Sequence, residues 1–149
     1  METKNSYHMI ITNHIDYKID VKNNFCFVGF PDRNRKAVQN MKPGDKIIFY
    51  ILKKSLFMAA VEVVDKYFYS HEKHWSDPFD LWPHRIKTKP LVFIDDFVKG
   101  VYIKEFWDDL DLITNKNKWG SQVMGSYRKL TSNDYNVIYN AIKERIKWK

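Results

Sequence analysis

His71 and His74 stand three residues apart and Asp77 follows closely, a grouping of imidazoles and a carboxylate of the kind that ligates a divalent metal. The stretch reads H-E-K-H, however, and not the H-E-x-x-H that sets two imidazoles on one helical face. No helix is expected here to present them, so a solvated polar loop accounts for these residues and no metal site is assigned. Asp108, Asp109 and Asp111 in DDLDL crowd carboxylates that a hydrolase could use. An acidic surface turn is the simpler reading. Cys26 is the chain's one cysteine, so no intrachain disulfide forms. Between Phe25 and Phe27 it reads as a small core residue, not a nucleophile. The chain has no phosphate-cradling glycine loop and no G-x-S-x-G elbow. The reading is therefore a non-enzyme with no cofactor.

What remains is aromatic surface and positive charge. Residues 70–86, SHEKHWSDPFDLWPHRI, carry Trp75, Phe79 and Trp82 between Pro78 and Pro83, with no apolar periodicity to make a core strand or helix. Aromatic residues are 16% of the chain and the net charge is +7. Lysines neutralise phosphates, and exposed rings stack on bases. Together they point to RNA or DNA as the partner, although charge alone does not separate these from another anionic surface. Lys36, Lys42, Lys116 and Lys118 are the candidate phosphate contacts, from charge and loop position. The lone cysteine suits a reducing compartment. Nothing approaches the roughly 20 apolar residues of a membrane span, and the N-terminus carries no cleavage signal. The expected location is the cytoplasm, with no membrane contact.

Those residues need a scaffold. A length of 149 residues suits one domain over 1–149, with no repeat or low-complexity linker. YHMIIT (7–12) reads as a first strand, and TNHIDYKIDVKNN as a polar helix or turn. FCFVGFP (25–31) is a short apolar run stopped by Gly29 and Pro31. DRNRKAVQNM follows as a short helix with Asp32 as its N-cap and Ala37, Val38 and Met41 inward. KPGD (42–45) places Pro and Gly where a type II turn needs them. KIIFYIL and LFMAAVEVVDKYFY (56–69) form an antiparallel hairpin. RIKTKPLVFI (85–94) is another strand with Pro90 at a bulge or edge. Residues 103–113 are ambiguous between helix and irregular structure, and 114–120 form a polar loop. Thr131 and Asp134 resemble a capping box opening a helix over 131–149, with Tyr135, Ile138, Tyr139, Ile142 and Ile146 on one face. The sum is α+β: a small β-barrel flanked by helices.

Taken in order, IITN, KPGDKIIFYI, WPHRIKTKP and GSYRKLTSNDY resemble the EVE domain family, of the PUA-like superfamily and related to YTH domains. The likeness runs over about residues 7–146. It implies a PUA-like barrel, no established catalysis, and nucleic-acid binding with a modified base, such as a methylated one, in an aromatic pocket. Carried over residue by residue, it implies Asn13 at the pocket edge as an amide. Phe27 or Val28 stands where relatives have a wall tryptophan, which weakens that wall. Trp75 or Trp82 forms the second wall. Arg85 binds phosphate or braces the barrel, and Arg128 follows the C-terminal motif as a further phosphate contact. The rival readings are an RNA-processing nuclease using His74 and Tyr69, and a small-molecule-binding interaction module.

Overall fold

The computed structural model describes residues 5–76 and 81–147, and the interpretations placed on Asp77, Pro78 and Phe79 lie outside them. The strands arise where β-branched and aromatic residues run together. They are β1 (Tyr7–Thr12), β2 (Phe27–Phe30), β3 (Lys46–Ile51), β4 (Leu56–Tyr69), β5 (His84–Phe93), β6 (Val101–Tyr102) and β7 (Tyr127–Leu130). They hydrogen-bond in the order β2-β5-β4-β3-β1-β7, with β6 added beside β4. β1 runs parallel to β3 and antiparallel to β7. The helices among the described residues are α1 (His14–Lys22), α2 (Arg35–Gln39), α3 (Trp119–Gln122) and α4 (Ser132–Ile146), joined by several 3-10 turns.

The sheet curls because β4 is long and bulged. Its register against β3 shifts between Phe49 and Tyr50. Against β5 it shifts at Ala60/Val61 and again at Val63/Tyr67. A bulge adds local twist and bends the strand. Pro90 sits at the first of the β4–β5 shifts, where a residue without an N–H does least harm. The curl gives a half-barrel that is open between its end strands, β2 and β7. Both faces of the sheet are covered: the consecutive β3 residues Ile48 and Phe49 point to opposite sides, and both, like Met9, Phe57 and Val61, are essentially without solvent contact. α4 lies against β3, β4, β5, β6 and β7, burying Tyr135, Ile138 and Ile142.

The local chemistry matches the sequence in most places. The KPGD turn is type II in shape: Asp45 N–H donates to the Lys42 carbonyl at 3.0 Å. Gly44 takes the positive φ of 98° that this turn reserves for glycine. Thr131 caps α4, its hydroxyl accepting from Asp134 N–H at 3.1 Å. The reciprocal half of the box is replaced, because the Asp134 carboxylate accepts from the N–H groups of Asp111 (2.6 Å) and Leu112 (2.9 Å). That pins the irregular 103–113 segment to the start of α4. Ile146 is exposed, since the helix has passed the sheet by its last turn.

Several expectations need correction. Asp32 does not cap the following helix. It begins a 3-10 turn, and its carboxylate lies 2.6 Å from His84 Nε2. Cys26 is exposed, not core. The chain leaves α1 through left-handed conformations at Asn24 and Phe25 (φ 56° and 52°), which spend the inward direction on Phe25. β7 was not foreseen as a strand, being short and polar along most of its length.

Candidate functional site

α1 is where the site begins. Asn13 caps it, with its side-chain oxygen accepting from Asp16 N–H at 2.8 Å and its amide donating to Asp16 Oδ2 at 3.0 Å. The buried side of this helix carries Asp16, Tyr17 and Asp20. The spacing of four sets both carboxyls on one face, and burying them is costly unless they are bonded. Asp16 is well supplied: Oδ1 accepts from Ser76 N–H at 3.0 Å and from its hydroxyl at 2.6 Å. Asp20 accepts from Trp75 Nε1–H at 2.9 Å. Burial pushes the Asp20 carboxyl up to about 8; the Trp75 N–H opposes this and Asp16 adds to it. At neutral pH Asp20 is therefore largely a protonated acid, able to donate a hydrogen bond.

The aromatic loop is tied down by Arg85. This side chain is 2% exposed. Its Nε donates to the Trp82 carbonyl at 3.0 Å and its Nη2 to the Glu72 carbonyl, so one guanidinium clamps both ends of the loop. It also lies over the rings of Phe27 (5.3 Å) and Trp75 (5.2 Å). Trp75 meets Phe27 and His74 edge to face. Burial lowers the His74 pKa, and the nearby Arg85 charge lowers it further. Its Nε2 is shielded and has no hydrogen-bond partner among the described residues.

Trp75 passes close over β2, which is why residue 29 is glycine. A Cβ there would stand 2.6 Å from Trp75 Cη2 and 2.9 Å from the Trp82 carbonyl oxygen. The result is a cavity at the open side of the half-barrel. Ile10 and Thr12 of β1, Asp16 and Asp20 of α1, Gly29 of β2, and Trp75, Trp82 and Ser126 line it. Its volume is about 20 Å³, room for about one water molecule. Side chains close the gap between the sheet's ends: Arg33 donates to the Ser126 hydroxyl at 3.1 Å, and that hydroxyl donates to Asn34 Oδ1 at 2.6 Å.

A family model for the EVE domain matches residues 6–141. The chain belongs to the EVE domain family. A UPF0310 protein of Pyrococcus abyssi is 28% identical over 144 residues, covering 89% of this chain and 96% of that one. A UPF0310 protein of Pyrococcus horikoshii is 25% identical over 146 residues, with the same coverage. The fold is similar to the crystal structure of the Mmi1 YTH domain, with a TM-score of 0.70 at 11% identity, covering 99% of this chain and 94% of that one. It is also similar to a crystal structure of the Mmi1 YTH domain in complex with RNA, with a TM-score of 0.67 at 12% identity, covering 96% and 80%.

Within this EVE domain the residues singled out from sequence separate. Trp75 and Trp82 meet at the cavity. Asn13 lies beside it but spends its amide on Asp16. Phe27 packs behind Trp75 against His74 (4.4 Å between centroids), outside the lining. Val28 is core, paired with Ile86. Arg85 is buried and braces the loop from within. Arg128 is half-buried and donates to the carbonyls of Gln122 and Ser121. Lys36 and Lys118 are exposed and Lys42 is half-buried. Lys116 pairs with Asp108 and lies 5.5 Å from the Trp107 ring centre. Asp16, Asp20, Gly29 and Ser126 were not anticipated. The available signal was two aspartates four apart, one beside Tyr17, in a helix whose apolar residues form no single stripe.

A second, wider concavity shares Trp82 with the first. It is a groove of about 470 Å³ that also takes in Asp32, Arg33, Tyr69 and His71. Of the pair considered for nuclease chemistry, Tyr69 lines this groove, whereas His74 packs behind Trp75. Among the described residues no group of three or more His, Cys, Asp or Glu side chains is arranged to hold a metal ion. No helix there is long and apolar enough to cross a membrane.

Proposed function

We propose that this EVE domain is a nucleic-acid-binding module that accepts one unstacked base, carrying a small modification such as a methyl group, in the cavity between Trp75 and Trp82. The observation that carries the reading is the convergence of two tryptophans with Asp20, Thr12 and Ser126 on one small cavity. An extruded base loses a few kcal/mol of stacking and pairing. Aromatic faces return roughly 1–3 kcal/mol per base. The polar groups then read its edge, Asp20 as an O–H donor and the hydroxyls as donor or acceptor. The net charge of +7 and the RNA held by a similarly folded YTH domain are consistent with this partner. A base does not fit into about 20 Å³, so the open side of the half-barrel has to widen around it.

The test is fluorescence anisotropy with RNA and DNA hexanucleotides, unmodified or carrying one N6-methyladenine, 5-methylcytosine or 5-hydroxymethylcytosine. One modified member is expected to bind about tenfold or more above its unmodified counterpart. Trp82→Ala should weaken that member by about one to two decades. Equal affinity across the panel, unchanged in Trp82→Ala, overturns the reading.

A further inference from the structure

The groove beside the cavity is not needed to hold a single base, yet it is built like a place for one. Its volume of about 470 Å³ lies in the range of small-molecule sites, whereas the cavity's about 20 Å³ lies far below it. It exposes apolar and planar surface that a folded chain usually hides: Tyr69 is 56% exposed and Leu81 47%. Tyr69 stands at the end of β4, meets the rings of His71 and His84 edge to face, and shares a hydrogen bond between its hydroxyl and His71 Nε2. Trp82 is common to both concavities, so the groove adjoins the cavity.

Arg33 stands at the border of the two. It lines the groove, and its guanidinium donates to Ser126, which lines the cavity. It is exposed and forms no ion pair with an acidic side chain among the described residues. An unneutralised guanidinium at such a border suits a bridging phosphate, which it can grip bidentately. Asp32 lines the same groove with its side chain 89% exposed, one oxygen turned to His84. A carboxylate repels phosphate and accepts from the exocyclic amine of cytosine or adenine. The two side chains therefore set an orientation, phosphate towards Arg33 and base towards Asp32 and Tyr69.

From this juxtaposition we infer that the groove is a second nucleotide subsite, which stacks the nucleotide adjoining the one in the cavity on Tyr69 and holds the connecting phosphate on Arg33. The inference rests on the base-binding reading proposed above. It adds that the domain reads at least a dinucleotide and favours an amine-bearing neighbour.

The test compares the tightest-binding hexanucleotide of that panel with the matching free nucleoside, by calorimetry. Tyr69→Ala and Arg33→Ala are expected to weaken the hexanucleotide tenfold or more, and Tyr69→Ala to leave the nucleoside within twofold. Tyr69→Phe, which keeps the ring, should bind the hexanucleotide like wild type. Arg33→Ala should also lower the slope of log affinity against log salt by about one. If both alanine variants bind the hexanucleotide as wild type does, while Gly29→Ala loses it, the groove subsite is refuted and the cavity reading stands. If the groove variants lose the hexanucleotide but Gly29→Ala and Trp82→Ala do not, the groove is a binding surface and the cavity reading falls. Absence of binding to every panel member overturns both.

Discussion

Replacing Asp20 by asparagine should relieve a pH-dependent burden while keeping the geometry. Asp20 is 3% exposed and its carboxyl is held up to about 8, against 3.8 for a free aspartate. Burial is the main cause, only partly opposed by the hydrogen bond from Trp75. The folded state therefore keeps a proton that the unfolded chain has released. Stability attributable to this group is greatest below pH 4 and falls as pH rises towards 8. At pH 7 the deficit is on the order of 4 kcal/mol, from 1.36 kcal/mol per unit. Asparagine is neutral throughout and its side-chain oxygen still accepts from Trp75. Urea unfolding of wild type and Asp20→Asn at pH 6, 7 and 8 should show the variant gaining on wild type by about 2 kcal/mol across that interval. His8 and His74, whose pKa values are lowered by burial, act in the opposite sense below about pH 6.5, and Asp134, raised by burial, acts in the same sense. All of them are common to both proteins and cancel in the difference. A constant gap across the three pH values would show that Asp20 is ionised in the folded protein, and the assignment of a donor in the cavity would go with it.

Further outcomes follow from the same contacts. Arg85→Met should cost about 3 kcal/mol, since the Glu72 and Trp82 carbonyls lose a charged donor. Arg85→Lys should recover less than half of that, having no planar fork, with both variants read by denaturant titration and tryptophan emission. Gly29→Ala should lower stability by about 1–3 kcal/mol by forcing Trp75 away from β2, seen as a lower Tm and a shifted indole Nε1–H resonance. Thr131→Ala should cost about 1 kcal/mol through loss of the α4 cap, measured by the same titration.

The scaffold was legible where periodicity and turn chemistry are local. β1 and β4 fall on the stretches 7–12 and 56–69 because their apolar runs are bounded by polar residues and turns. Pro90 and the KPGD turn behave as their backbone restrictions require. The site was legible only in part. Trp75 and Trp82 stood out because aromatics in an aperiodic loop lack a core role. Phe27 and Val28 do not line the cavity, since strand alternation sends Val28 into the core and leaves Phe27 behind Trp75. Asp16 and Asp20 were not singled out, because the helix HIDYKIDVK shows no apolar stripe to reveal its buried side. Arg85 read as a phosphate contact or a brace of the barrel, and only tertiary structure shows the two carbonyls it ties together.

The open side of the half-barrel also makes a statement about motion. β2 and β7 each have one ladder neighbour, and between them stand the side chains of Arg33, Asn34 and Ser126 instead of a row of backbone hydrogen bonds. Amides along this line have the least to lose on opening, so they should exchange with solvent deuterium well before those of β3 and β4, which have neighbours on both sides. The same line borders the cavity. A protein whose weakest lateral bonds flank so small a cavity can breathe there without unfolding, and any guest pays for the fraction of time the door is open.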